Sequence, residues 1–314
     1  MFEPERDVRG GGPSSDVQSD TRPSCSGISA TGPKSVVIEK TLQTLMENHL
    51  EAFLGVRLLA SEHSTGKVHG GRIDSLGIDE NNSPVIIEYK RSLNENVINQ
   101  GLFYLDWLLD HRAEFQLLAM TKVGADIKTK INWPGTRLIC IAADFTRYDE
   151  HAVTQIGRNI ELLRYKAYGP ELLLLELVNS TAGLAPAGDG EPKVAGTYKT
   201  VLESLAQSPP EVVDLYHQLE AFLTALGDVQ VNPTKTYIAF RRIKNFACVV
   251  VVPKYKMVLV YVKVDPMSVV LDKNWMRDVS TTGHAGTGDL ELTIRSPEDI
   301  EKAKPFLTAS YEAS

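Results

Sequence analysis

A chain of 314 residues with 43% hydrophobic and 23% charged residues has the composition of a soluble globular protein of one to three domains. No apolar run approaches the roughly 20 residues of a membrane-spanning helix, which excludes a helical integral membrane protein. A formal net charge of −7 speaks against a broad, non-specific nucleic-acid binder, although a local basic surface could coexist with it.

The opening residues MFEPERDVRGGGPSS carry no apolar h-region, so export is not expected. Cys25, Cys140 and Cys248 show no CxxC or His pairing, which points to free thiols in a cytoplasmic protein without disulfides or zinc. Residues 1–34 are rich in Gly, Ser, Pro and Asp and poor in large apolar residues, so they cannot offset their ordering entropy and are expected to be disordered. From Val36 a helical stripe begins with Val37, Leu42, Leu45, Met46, Leu50 and Phe53. Glu39, Gln43 and Glu47 recur at spacing four on its polar side, the pattern of a solvated face. Gly55 ends the helix, a strand runs from Val56 to Ser61, and Glu62 stands at that strand's end.

Gly70 to Ser92 then reads as two strands around a polar turn, Asp79-Glu-Asn-Asn-Ser83, with Pro84 opening the return strand. A five-residue loop sets Ile78 against Pro84 and Asp74 against Glu88. A four-residue loop would put Tyr89 opposite Asp74 and split the carboxylates between faces. Val85, Ile86 and Ile87 form a run suited to a strand buried on both faces. Asp74, Glu88 and Lys90 would thus share a face at its end, where charges cost several kcal/mol unless a metal or partner holds them. Two carboxylates and an ammonium suit Mg²⁺-assisted phosphodiester chemistry. The plain alternative is a surface hairpin with a salt bridge.

A helix is expected from Asn94 to Phe115, with Ile98, Leu102, Leu105 and Leu109 inward, Trp107 and Phe103 in the core, and Gln100 beside Tyr104. A buried strand (Thr136–Ala143), a helix (Asp149–Asn159) and two strands (Ile160–Tyr168, Glu171–Val178) follow. Asp144, Arg147 and Tyr148 read as exposed loop polars. The Gly/Pro/Ala-rich stretch 180–196 reads as a linker between halves that fold independently. Beyond it come a helix (Glu211–Leu226), a meander (Tyr237–Arg242, Phe246–Val252, Val258–Val264), a strand (Leu290–Ile294) and a last helix capped by Ser296. Val229 to Val264 contains no acid but Lys235, Arg241, Arg242, Lys244, Lys254, Lys256 and Lys263. Tyr237, Phe240, Phe246, Tyr255 and Tyr261 interleave, as in a sheet facing nucleic acid; a solvated basic sheet fits equally. Gly283-His-Ala-Gly-Thr-Gly288 lacks the Lys of a P-loop and reads as a turn with a structural His.

The combination RID, IIEYK and Gln100-Gly-Leu-Phe-Tyr104 resembles the PD-(D/E)XK nuclease superfamily in its RecB-like and NucS-like branch, over roughly Val36 to Asn179. Ile73 stands where that family usually has Pro. The resemblance implies a restriction-endonuclease-like α/β fold, a mixed central sheet flanked by helices (residues 35–179), beside a smaller α+β accessory domain (197–314). It implies an endonuclease-like hydrolase acting on DNA with Mg²⁺ or Mn²⁺. Asp74, Glu88 and the Tyr89 carbonyl would hold the metal, Lys90 would position the water, and Gln100 would support the site. Glu39, from the first helix, would add a carboxylate to the metal; Glu62 is the alternative for that role. Tyr104, Arg72, Arg91, Arg241 and Arg242 are the expected nucleic-acid contacts. No membrane is implied, and a homodimer is left open. A catalytically silent nuclease fold serving as a binding module is the other reading. The second half, with NFACV and RDVSTTGHAGTGDLE, is similar to a domain usually labelled a predicted transport protein, which would suggest a transport-associated component.

Overall fold

Leu42, Met46, Leu50 and Leu54 recur every four residues, and that period folds Lys34–Leu54 into helix α1 with all four side chains buried. Leu45 falls off the stripe and is exposed. The computed structural model describes residues 34–90, 97–169, 172–181 and 200–314. Apart from Lys34, Ser180 and Thr181, the segments expected to be disordered or linking (1–34 and 180–196) lie outside the described residues. Gly55, at φ +62°, turns the chain out of α1 where a side chain would be strained.

Strands β1 (Val56–Ser64), β2 (Arg72–Asp79) and β3 (Pro84–Lys90) form an antiparallel meander, with the four-residue helix α2 (Gly66–His69) between β1 and β2. Strand β4 (Arg137–Ala142) joins β3 in parallel, β5 (Asn159–Tyr168) joins β4 in parallel, and β6 (Leu172–Thr181) closes the order antiparallel to β5. Between β3 and β4 the expected single helix is two, α3 (Val97–Asp110) and α4 (Arg112–Val123), broken at His111. Helix α5 (Arg147–Ile156) follows β4, capped reciprocally by Thr146 and Asp149.

Val85, Ile87, Tyr89, Ile139 and Ile141 face α1, while Ile86, Leu138 and Cys140 face α3 and α4. The Val-Ile-Ile run of β3 is therefore buried on both faces, as a strand with a parallel neighbour requires. Trp107 packs in this core, but Phe103 is half exposed and does not.

Helices α6 (Val201–Ala206) and α7 (Pro210–Thr224) open the second unit. Its strands are β7 (Gln230–Pro233), β8 (Ile238–Arg241), β9 (Asn245–Val252), β10 (Met257–Val262), β11 (Met276–Asp278) and β12 (Leu290–Ile294), and helix α8 (Pro297–Glu312) closes it. The sheet runs β11-β12-β10-β9-β8-β7, antiparallel throughout, with side chains of α6, α7 and α8 packed on one face. The chain is thus α/β, a mixed central sheet flanked by helices, with a smaller α+β domain attached.

The two halves do not stand apart as the linker composition suggests. Arg137 of β4 lies between Asp79 and Glu161, with Nε 3.2 Å from Asp79 and Nη1 2.9 Å from Glu161. Arg241 of the second domain donates to the same Glu161 and to Gln230. Two carboxylates and two guanidiniums balance in a buried neutral cluster, the arrangement that makes burying such charges tolerable.

Candidate functional site

The β2–β3 ladder pairs Ile78 with Pro84, Gly77 with Val85, Leu76 with Ile86 and Ser75 with Ile87. One step further along the same register, Asp74 falls opposite Glu88. There the backbone ladder stops and carboxylates replace its carbonyls. The Asp74 N–H donates to Glu88 Oε1 at 3.2 Å, and the Tyr89 N–H donates to Asp74 Oδ2 at 3.0 Å. Glu88 is fully buried, whereas Asp74 and Lys90 are half-buried. Burial raises the Asp74 carboxyl above its ordinary range, and the Tyr89 N–H and the Lys90 ammonium oppose that shift.

Helix α1 covers the pair from the other side. Gln43 is buried and donates through Nε2 to the Asp74 carbonyl at 3.0 Å and to Glu47 at 3.0 Å. Ser75 Oγ lies 2.6 Å from Glu47 and 3.3 Å from the Tyr89 hydroxyl. The expected solvated face of α1 is therefore a polar seam over β2 and β3. Spacing four was the signal for it, but its reading as an exposed face is corrected here. The Glu39 side chain lies outside the described residues, as does Arg91.

Of the two candidates for a third carboxylate, Glu62 is the one whose position the structure describes. The β1–β2 ladder pairs Ser61 with Ser75 and His63 with Ile73, so Glu62 falls opposite Asp74. Its backbone is left-handed at φ +54°, and Lys40 and Arg72 hold its carboxylate at 2.7 and 2.5 Å. The Lys40 hydrogen bond, then the Arg72 charge, keep that carboxyl below its ordinary range.

Gln100 and Tyr104 do lie side by side on α3, with Gln100 Nε2 3.1 Å from the Tyr104 hydroxyl. That hydroxyl also accepts the Arg72 N–H at 3.2 Å, so the motif braces the start of β2. Tyr104 is buried and offers no surface to a nucleic-acid backbone, which corrects its expected role as a contact. The approach is so close that a Cβ on Gly71 would meet the Tyr104 ring at 2.4 Å.

Arg241 is likewise not a nucleic-acid contact: it is 3% exposed and committed to Glu161. The basic meander faces outward only in part: Lys235, Lys254, Tyr255 and Lys256 are exposed, but its central residues are not. Tyr237, Phe240, Phe246 and Tyr261 are buried, Lys263 pairs with Glu80 at 2.5 Å, and Lys244 donates to the Ala52 carbonyl at 2.9 Å. Arg242 is exposed and lies over the Tyr311 ring, and Arg72 is exposed on its Glu62 side. The loop of Gly283 to Gly288 is irregular, with His284 stacked on Tyr261 at 4.7 Å. Cys140 and Cys248 are buried free thiols, and burial pushes Cys248 up to about 11.

The donor set suits a hard cation. Asp74 and Glu88 stand at neighbouring strand positions, each accepting an N–H from the other strand, and the raised Asp74 carboxyl marks a charge whose burial a divalent ion would offset. Among the described residues, no three His, Cys, Asp or Glu side chains group closely enough to hold one ion. Glu62 is instead taken up by its cations, so an ion would rest on two carboxylates, a count that Mg²⁺ accepts. A cavity of about 480 Å³ lies elsewhere, at the domain junction beside Glu80, Lys263 and Asp265.

Residues 202–314 match the family described as a domain of unknown function (DUF5655), within the α+β domain. A protein of Haemophilus influenzae (strain ATCC 51907 / DSM 11121 / KW20 / Rd), described as an uncharacterized protein, is 29% identical over 276 residues, covering 84% of this chain and 89% of its own. A match of that length extends well beyond the α+β domain, so similarity spans both units. No solved structure matches. Among the described residues, no helix is long and apolar enough to cross a membrane.

Proposed function

We propose that this chain is a cytoplasmic, Mg²⁺- or Mn²⁺-dependent nuclease of the PD-(D/E)XK type that hydrolyses DNA phosphodiester bonds. The observation that carries the reading is the meeting of Asp74 and Glu88 where the β2–β3 ladder ends, with Lys90 two residues beyond Glu88 on β3. An order of one helix, three antiparallel strands, helices and a parallel fourth strand supports it.

Asp74 and Glu88, with the Tyr89 carbonyl, would hold the ion. Bound there, it supplies positive charge to the phosphodiester as negative charge develops in the transition state. Lys90 orients the attacking water and adds a second positive charge. Gln100 acts through Tyr104, keeping β2 in place rather than touching the reacting atoms.

A second reading, a silent nuclease fold used as a binding module, is favoured by one feature. Each carboxylate of the pair already accepts a backbone N–H, a strand-holding role that needs no chemistry. A cleavage panel of single-stranded, duplex, mismatched and branched DNA with Mg²⁺ or Mn²⁺ separates the two. Cleavage by wild type and none by Asp74→Ala is expected. Equal activity, or none in either protein with any substrate, would overturn the nuclease reading.

A further inference from the structure

The turn joining β2 to β3 is organised within its own domain. Asp79 Oδ1 accepts the N–H groups of Asn81 and Ser83, each at 2.8 Å, the Asp79 N–H donates to the Ser83 carbonyl, and Asn82 takes a left-handed φ of +58°. The Glu80 N–H also donates to the Gly55 carbonyl at 3.1 Å and the Asn82 carbonyl accepts the Asn132 N–H at 2.9 Å, so the turn is held without the second domain. Yet Glu80 and Asn81 at its tip reach into the α+β domain. Glu80 accepts Lys263 Nζ at 2.5 Å and the Asn245 N–H at 3.0 Å. Asn81 and Asn245 exchange amide hydrogen bonds at 2.7 and 3.2 Å, and the Tyr237 hydroxyl donates to Asn81 Oδ1 at 3.0 Å. Asn81 and Asn245 are 6% and 1% exposed, so these polar groups are out of water and depend on each other.

We propose that the α+β domain is a clasp: Tyr237, Asn245 and Lys263 form a receptor for the Glu80-Asn81 tip and thereby fix the alignment of Asp74 with Glu88 at the far end of the same hairpin. Asp79 stands about 17 Å along β2 from Asp74 at ~3.3 Å per residue, so the coupling runs through the strands and not through contact. The Asp79 turn sets the register, and the receptor holds the hairpin in it. A hairpin that slips by one residue sends every side chain to the opposite face, which would part Asp74 from Glu88. Apolar neighbours on both faces of β3 accept such a slip more readily than a receptor that matches one carboxylate and one amide by identity. The receptor is itself backed: Asn245 Nδ2 lies 3.4 Å from Thr287 Oγ1, and the Thr287 N–H donates to Cys248 Sγ at 3.3 Å. Tyr237, Asn245 and Lys263 are positioning residues. The consequence for metal binding rests on the nuclease reading, while the clasp itself does not.

Amide hydrogen exchange on the full chain tests it, because the Asp74 and Tyr89 N–H groups donate to the two carboxylates themselves. In Asn245→Ala, exchange at Asp74 and Tyr89 is expected to speed up about tenfold, while Ile139 and Ile141 of β4 stay near wild type. Glu80→Lys and Lys263→Glu should each do the same, and the two together should recover part of the slow exchange, since a lysine at position 80 regains the ion pair but cannot accept the Asn245 N–H. Unchanged exchange at Asp74 and Tyr89, or equal acceleration across β4, would overturn the clasp. A parallel Mn²⁺ titration by calorimetry adds the consequence: about tenfold weaker binding in Asn245→Ala is expected, as for lost supporting contacts at metal sites. Unchanged Mn²⁺ affinity would overturn the coupling. If wild type binds no Mn²⁺, the nuclease reading fails and the exchange data alone still decide the clasp.

Discussion

Asp74 donates its backbone N–H to the side chain of Glu88 at 3.2 Å, so the two acids are tied by a hydrogen bond as well as by register. The tie holds them together without an ion, and the Lys90 charge acts on Asp74 from the strand of Glu88. A divalent ion would then add to an arrangement already made, rather than create it.

The first prediction follows from that. Glu88→Gln keeps an amide oxygen able to accept the Asp74 N–H, and it removes one of two neighbouring negative charges. Without metal, this variant should unfold at the same temperature as wild type or higher. Saturating Mg²⁺ or Mn²⁺ should stabilise wild type by about 2.7 kcal/mol at a hundred times the dissociation constant. Glu88→Gln should lose most of that gain. Thermal melts with and without ions check both; a destabilised variant alongside a wild type indifferent to metal would remove the metal site.

Arg241 and Arg242 are adjacent in sequence and opposite in role. Arg241→Ala leaves Glu161 with only Arg137 inside a buried cluster and should cost about 3–5 kcal/mol in urea unfolding. Arg242→Ala removes an exposed cation from the face of Tyr311 and should cost no more than about 1 kcal/mol. If DNA binds, neither Arg241 nor its loss should enter the salt slope, since a buried, paired guanidinium releases no counterions. A small effect at position 241 would mean that the ion cluster does not hold the domains.

The same cluster sets an acid limit. Burial alone would raise the Glu161 carboxyl, but Arg137 and Arg241 outweigh it and hold the group below its ordinary range. Asp79, the remaining charged group of the cluster, shares Arg137. With the folded value below the unfolded value of about 4.3, the unfolded chain takes up the proton first as pH falls. The stabilisation is full above that value and is lost as pH drops through the folded one. Melting temperatures of wild type and Glu161→Gln should therefore differ most at neutral pH and converge below about pH 4. Parallel curves down to pH 3 would contradict this linkage.

Local chemistry made the hairpin legible. Asp-Glu-Asn-Asn-Ser between β-branched runs can only turn, and a loop of that length dictates the observed pairing of Ile78 with Pro84. The four-residue period did the same for Leu42, Met46 and Leu50. The break at His111 was hidden because neither Gly nor Pro marks it, and β7 and β11 are too short to show a period. The misreading of Arg241 and Lys263 has a different cause. Their acids, Glu161 and Glu80, lie 80 and 183 residues away in the chain, so an acid-free window looked like a basic surface. Partners supplied by another domain leave no local trace.

That cross-domain pairing yields the last prediction. Composition alone made 180–196 a boundary between independent halves, and proteolysis there would then release two separate fragments. The structure places Glu80, Asn81 and Glu161 of one half against Arg241, Asn245, Tyr237 and Lys263 of the other. Separating them would leave Asn81, Asn245 and Glu161 facing water with geometry built for each other, and would expose Arg137 with two acids and no second cation. A chain cut within 180–196 should therefore run as one particle in gel filtration at neutral pH. The halves should part on acidification, when Glu161 takes up its proton, or in Asn245→Ala combined with Arg241→Ala. Each half taken alone should melt at a lower temperature than the cut complex. Fragments that separate at neutral pH, with melting temperatures equal to those in the intact chain, would show that the buried polar contacts add nothing to the union of the domains.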